Sequence, residues 1–284
     1  MTAYQKEPGN APAYRYGDET QLLCDILSDP RISRIAPQAI RNMDLSKDPL
    51  WNKSLKTLRE EHFGGGLQAG FDRLFRAAES GKWYYPLYSP EECASDPDKE
   101  GTNLVYFPSE DPAASQRPYI LLVPGGGFVN VWNISEGWPV AAQFNELGYH
   151  VCILTYQVAA KDRILDREME DFARALSLIR AHEKEFSLRW DRYCTCGFSA
   201  GGYLVCLWNV PEKGYACQSR GPRSPSTPSS AGSWPAKKTG TMTNSRSCFS
   251  AAIWRQLPGP RTRSRITRRI SRPAPSSLLR AIPL

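Results

Sequence analysis

Gly197-Phe198-Ser199-Ala200-Gly201 sets a serine between glycines two residues before it and two after it. The apolar run Tyr193 to Phe198 enters this segment and a helical pattern, Ala200 to Trp208, leaves it, so the motif reads as a sharp strand-to-helix turn. Such a turn strains the serine backbone, and side chains at the two glycine positions would obstruct neighbouring elements. The hydroxyl then projects at the C-terminal edge of a sheet, above a helix N-terminus that favours negative charge. A chance match in a Gly/Ser-rich loop would lack both flanks. The residue types point to a nucleophile for acyl transfer.

About seventy residues upstream, Pro124-Gly125-Gly126-Gly127-Phe128 follows directly on the apolar run Tyr119 to Val123. Acyl transfer builds an oxyanion, and glycine backbones can turn N–H groups toward it without steric obstruction. Gly126 and Gly127, with the N–H of Ala200 after the nucleophile, are the candidate oxyanion hole. Losing one such donor typically costs about 10² to 10³ in rate. A triple glycine alone is more often just a turn, and its pairing with the serine motif is what favours the functional reading. Phe128 and Trp132 are the candidate substrate-binding side chains; Asn133 and Trp138 also follow the loop, and for each tryptophan buried packing competes with a place in a pocket.

Val123 to Phe128 (VPGGGF) and Gly197 to Leu204 (GFSAGGYL) together resemble the HGGG-type esterase and lipase branch of the α/β-hydrolases. Small acetyl-esterase-like members, with those related to xylan-deacetylating and feruloyl-type enzymes, look nearest. The likeness covers roughly residues 100 to 208, and Pro124 stands where the branch usually has His. It implies a serine hydrolase acting on small carboxylic esters through an acyl-enzyme at Ser199, with a small-molecule ester as partner and neither metal nor organic cofactor.

In that fold the order is Ser, then Asp or Glu, then His. This chain departs from it. Its three histidines, His62, His150 and His182, all precede Ser199, and Glu212 is the sole acid after it. His150 begins a buried strand, His182 sits late in a surface helix, and His62 beside Gly64 to Gly66 reads as a helix end. Without an imidazole the hydroxyl stays protonated and is a weak nucleophile. The sequence therefore predicts a chain with little activity, unless His62 or a partner chain supplies the base.

The elements that must position the two motifs follow from periodicity. Residues 1 to 80 carry helical patterns, clearest over Gln21 to Leu27, Trp51 to Glu61 and Gln68 to Ala78, and are expected to form a helical extension or lid. Strands are expected at Trp83 to Tyr88, Asn103 to Phe107, Tyr119 to Val123, Tyr149 to Tyr156 and Tyr193 to Phe198. Helices are expected at Val140 to Leu147 and Arg167 to Phe186. Continuous apolar strands alternating with helices predict an α/β fold, a doubly wound, mostly parallel sheet covered on both faces. Residues 81–210 would form the N-terminal half of the α/β-hydrolase domain, incomplete at its C-terminus, with 1–80 as the N-terminal extension.

Cys194 and Cys196 fall in a predicted strand with no second pair at ligand spacing, so core packing is the expected role rather than a metal site. No apolar run is long enough to cross a bilayer, and the polar start carries no secretory pattern; no membrane partner and a cytoplasmic location are expected. The net charge of +7 is unevenly divided. From Ser219 to Leu284 there are 13 basic residues and no acid, so residues 1–218 hold 23 basic against 29 acidic residues.

Two readings of residues 211–284 remain. A basic arm would bind nucleic acid or an anionic surface on a catalytically dead body, but Trp254 is isolated and offers no stacking platform, so nucleic acid is not the favoured partner. The other reading is a shifted frame, since Arg, Ser and Pro without acids is what such a shift yields from GC-rich coding sequence. The shifted frame forces an aspartate at Met242-Thr243 and permits an acidic helix over Lys237 to Phe249, a strand and turn over Ser224 to Ala231, and an apolar strand ending in aspartate over Pro273 to Pro283. It places the shift between about Asn209 and Arg220.

Overall fold

A computed structural model describes residues 13–158 and 164–210. The tail expected over 211–284, with the frame shift inferred for it, lies outside the described residues. Five strands form one sheet: β1 (Tyr84–Pro86), β2 (Asn103–Phe107), β3 (Tyr119–Val123), β4 (Val151–Thr155) and β5 (Tyr193–Gly197), in the order β1-β2-β4-β3-β5. β3 pairs in parallel with β4 on one side and β5 on the other. β2 is antiparallel to both β1 and β4, so four strands share one direction and β2 alone runs against them.

The continuous apolar runs are explained by burial on both faces: every residue of β2, β3 and β4 is buried. One face packs on α3 (Leu67–Glu79) and α5 (Trp138–Glu146), where Phe71 meets Trp138 at 5.6 Å between rings. The other carries α6 (Ile164–Ala181) and α7 (Ser199–Trp208) over Leu121, Val123, Leu154 and Tyr156. There Phe172 and Trp208 stack at 4.3 Å. This is the two-sided α/β arrangement the periodicity predicts.

The extension is helical in short pieces over its first part, α1 (Leu23–Leu27), α2 (Leu55–Leu58) and 3-10 turns between them, and ends in the 13-residue α3. Prolines explain the fragmentation: Pro37 and Pro49 fall in 3-10 turns, and Asp48 caps the second of these through the Leu50 N–H. Its segment Gln38 to Asn42 is bonded to the chain after the glycine loop. Arg41 N donates to Val131 O, Ile134 N to Ala39 O, and Asn42 Nδ2 to Val129 O. One short helix, α4 (Pro90–Ser95), escapes the periodicity reading because it buries no residue; a capping box between Ser89 and Glu92 holds it. No helix among the described residues is long and apolar enough to cross a membrane.

Two acids on α6 are buried. Asp171 accepts from Tyr88 Oη (2.6 Å) and from both the backbone N (2.7 Å) and Nε2 (2.8 Å) of Gln157, which pins α6 to the end of β4; burial still pushes its pKa up to about 6. Glu168 is 1% exposed, its Oε2 has no hydrogen-bond partner, and burial pushes its pKa up to about 7. Both shifts make the folded state hold a proton that the unfolded chain releases. Stability is therefore full below the unfolded carboxyl range and falls as pH rises toward 7, by up to about 1.4 kcal/mol per pH unit for each group. Glu168→Gln removes one such loss: urea unfolding at pH 4 should match the parent closely, and at pH 8 the variant should be the more stable by about 1 to 3 kcal/mol. Phe172→Ala, by contrast, empties the stack on Trp208 and should cost about 3 to 5 kcal/mol at either pH.

Candidate active site

The register of the sheet brings the two motifs together. Parallel pairing sets Val123 opposite Gly197, so the chains leaving β3 and β5 emerge at the same edge. Phe198 N donates to Val123 O at 3.1 Å, the last bond before the strands diverge. Beyond it the backbones touch. A Cβ at Gly201 would overlap the carbonyl oxygens of Val123 and Pro124, and one at Gly197 would lie 2.5 Å from Gly201 O. A Cβ at Gly125 would lie 2.6 Å from Phe198 O and 2.9 Å from the Cβ of Ser199. Three glycines are thus required by close approach and not by flexibility.

Ser199 has φ +46°, a conformation that L-residues adopt at a cost of roughly 1 to 2 kcal/mol. It is exposed, whereas Phe198 and Ala200 beside it are buried. The turn therefore lifts one hydroxyl out of an otherwise covered segment. Ala200 N–H belongs to the first turn of α7, which has no intrahelical acceptor to offer it.

The glycine loop is a tight turn closed by Gly126 O, which accepts from Val129 N at 3.1 Å and Asn130 N at 2.9 Å. Gly127 (φ +65°) and Phe128 (φ +61°) occupy its centre, both in the left-handed region as in a type I′ turn. Gly125 O accepts from Trp132 N at 3.0 Å. A trans peptide points its N–H opposite to its C=O. With the carbonyls of Gly125 and Gly126 turned inward to residues 129–132, the N–H groups of Gly126 and Gly127 are turned away from that segment.

Aromatic rings surround the two motifs. Phe128 lies 6.2 Å from Tyr203 and 6.4 Å from Tyr156, and Trp132 lies 6.3 Å from Phe63 of the extension. Tyr203 and Val129 are each 53% exposed. Trp132 is half-buried beside Gly126. Asn133 and Trp138 instead belong to the interior: Asn133 Nδ2 donates to Gln38 O and Thr155 Oγ1, and Trp138 is 1% exposed.

Each imidazole is engaged elsewhere. His150 Nδ1 accepts from Ser109 N and lies 2.9 Å from Tyr106 Oη, and burial lowers its pKa. His182 pairs with Glu185, and His62 Nε2 lies 2.8 Å from Lys53 Nζ and 3.6 Å from Glu61. Cys196 is buried, which pushes its thiol up to about 12, and no cluster of metal-ligating side chains occurs among the described residues.

The sequence gives no hint of Glu136. Its Oε2 accepts from Gly125 N at 2.7 Å, and burial raises its pKa while that bond opposes the rise. It is one acid in an apolar stretch, eleven positions from its partner, and no spacing rule connects the two. Phe63 was equally hidden, because only the fold brings the extension to Trp132.

The BD-FAE family model matches residues 105–220. That span contains both motifs and the three parallel strands. No curated protein matches the chain. Among solved structures, similarity extends to an acetyl ester-xyloside bifunctional hydrolase from Caldicellulosiruptor lactoaceticus, at 27% identity over 44% of this chain and 45% of that one, with a TM-score of 0.37. A putative carboxylesterase from Lactobacillus plantarum is 26% identical over 38% and 43% of the respective chains (TM-score 0.33). A sugar hydrolase from Lactococcus lactis is 27% identical over 38% and 42% (TM-score 0.34). The chain spans less than half the length of each.

The contact between the motifs gives a direct test. Alanine is favoured over glycine inside a helix by about 1 kcal/mol. Gly201→Ala should nevertheless destabilise the protein by about 1 to 3 kcal/mol in urea unfolding, because its Cβ meets the carbonyl oxygens of Val123 and Pro124, and the first cannot retreat without breaking its bond to Phe198 N.

Proposed function

We propose that this chain is a serine hydrolase of the α/β-hydrolase type acting on small carboxylic esters through Ser199. The observation that carries the reading is an exposed serine at φ +46° between a parallel strand and a helix, in direct backbone contact with a glycine loop whose N–H groups are turned outward. Ser199 Oγ attacks the ester carbonyl carbon, the carbonyl electrons move onto oxygen, and the N–H groups of Gly126, Gly127 and Ala200 hold that oxyanion. Collapse of the intermediate expels the alcohol and leaves an acyl-serine, which water then hydrolyses. Phe128 and Trp132 flank the site and bind the substrate. The chemistry calls for no metal and no organic cofactor. The BD-FAE match over both motifs supports this reading.

The serine proton needs an acceptor. No His follows Ser199, and the one acid that does is Glu212. We infer that the frame of the coding sequence shifts between about Asn209 and Arg220, and that residues 81–210 are the N-terminal half of a hydrolase domain whose Asp and His lie in the other frame. The family match supports this, since it ends at residue 220, shortly after the last acid of the chain, Glu212.

Hydrolysis of p-nitrophenyl acetate should be compared between this chain and a frame-restored chain, with Ser199→Ala in each. The restored chain should be active and the substitution should abolish it, while the chain as it stands should turn over more slowly by up to about 10⁶. Equal, serine-dependent turnover by both would sink the frame-shift reading, and activity that survives Ser199→Ala would sink the nucleophile.

A further inference from the structure

Gly125 is held on both sides of its backbone. Its carbonyl accepts from Trp132 N and its N–H donates to the Glu136 carboxylate. The space around it is closed as well, because a Cβ there would stand 2.9 Å from Glu136 Oε2 and 2.9 Å from Ser199 Cβ. The carboxylate is thereby wedged at the junction of the glycine loop and the serine turn. It comes from the turn of chain Asn133–Gly137 that leads into α5, so it is anchored by an element independent of both motifs.

We propose that Glu136 is a positioning residue for the oxyanion hole: by accepting the Gly125 N–H it sets the plane of the loop whose next two amides face the developing charge. This rests on the reading of Ser199 as nucleophile. The bond, at 2.7 Å, is at the short end of the N–H···O range, and it needs an acceptor oxygen at that place. With Gly125 fixed, peptide planarity and the turn closed by Gly126 O leave the amides of Gly126 and Gly127 little freedom. Without the acceptor, Gly125 N–H would seek water and the loop would rotate about its most permissive torsions. Glu136 touches no reacting atom in this scheme; it acts through the loop.

The test uses the full chain, labelled with ¹⁵N-glycine, as parent, Glu136→Ala and Glu136→Gln. Ser199 is titrated with an alkyl fluorophosphonate, the serine oxygen displacing fluoride while its proton passes to water, and uptake is followed by intact mass. Glu136→Ala should lower the maximal labelling rate by about 10- to 100-fold with the half-saturating probe concentration little changed, a smaller loss than removing a hole donor outright. Glu136→Gln keeps an acceptor and should stay within about threefold of the parent. The Gly125 amide proton resonance should move upfield in the alanine variant and much less in the glutamine one. Labelling of Glu136→Ala at the parent rate, or a glutamine variant as slow as alanine, overturns the proposal. The same three variants are labelled in the frame-restored chain: no uptake at its Ser199 would sink the nucleophile reading, whereas an unchanged alanine rate there, or a Gly125 resonance that does not move in Glu136→Ala, overturns only the role of Glu136.

Discussion

Everything at the candidate site depends on how closely two backbones can approach at the end of β3. Parallel pairing of Val123 with Gly197 brings the strands to the same edge, but pairing alone would leave the following segments to diverge. They stay together because Gly125, Gly197 and Gly201 carry no side chains where carbonyl oxygens press against them. Hydrophobic burial of β3 and β4 supplies the rigidity behind this contact, since strands covered on both faces resist sliding. The order of dependence runs from apolar runs to register, from register to glycine contact, and from glycine contact to an exposed hydroxyl.

Much of this was legible in the residues. All five strands lie where β-branched and aromatic runs placed them, and α7 starts at Ser199, one residue before its expected first position. The reason is that burial on both faces leaves a local imprint, a short continuous apolar run. Strand order is not local, and neither is the reversal of β2, because an apolar run of five residues looks the same in either direction. Glu136 and Phe63 were illegible for the same reason. Their roles come from partners distant in sequence, Gly125 and Trp132, and side chains in isolation carry no mark of such meetings. Asn133 and Trp138 show the converse, since proximity in sequence to the glycine loop did not bring them to its surface.

The polar interior divides into groups that are satisfied and groups that are not. Asp171 receives three hydrogen bonds and fixes the end of β4 to α6, close to where Tyr156 approaches Phe128. Glu168 and Tyr156 each keep a buried oxygen without a partner. A buried carboxyl in that state is stable only while protonated, so the molecule resists mild acid at this position better than mild alkali. Buried polar atoms without a partner also occur at Thr102, Asn103 and Asn145, so such groups are spread through the interior and not confined to the layer beside the candidate site.

The glycine contact has a kinetic side. Val123 and Gly197 stand 74 positions apart, and the strand between them in sequence, β4, pairs on the opposite flank of β3. Closing so long a segment costs chain entropy before any contact rewards it, and the parallel pair gains nothing from a hairpin. β4 has a shorter loop to close and can dock first, while β5 must find the remaining edge of β3. The strain at Ser199 and Phe128 is then imposed late, by a sheet already formed. During synthesis the same order applies, because β5 leaves the ribosome after the other four strands have emerged. Among the described strands, the nucleophile's geometry therefore rests on the pairing that joins the most distant parts of the chain.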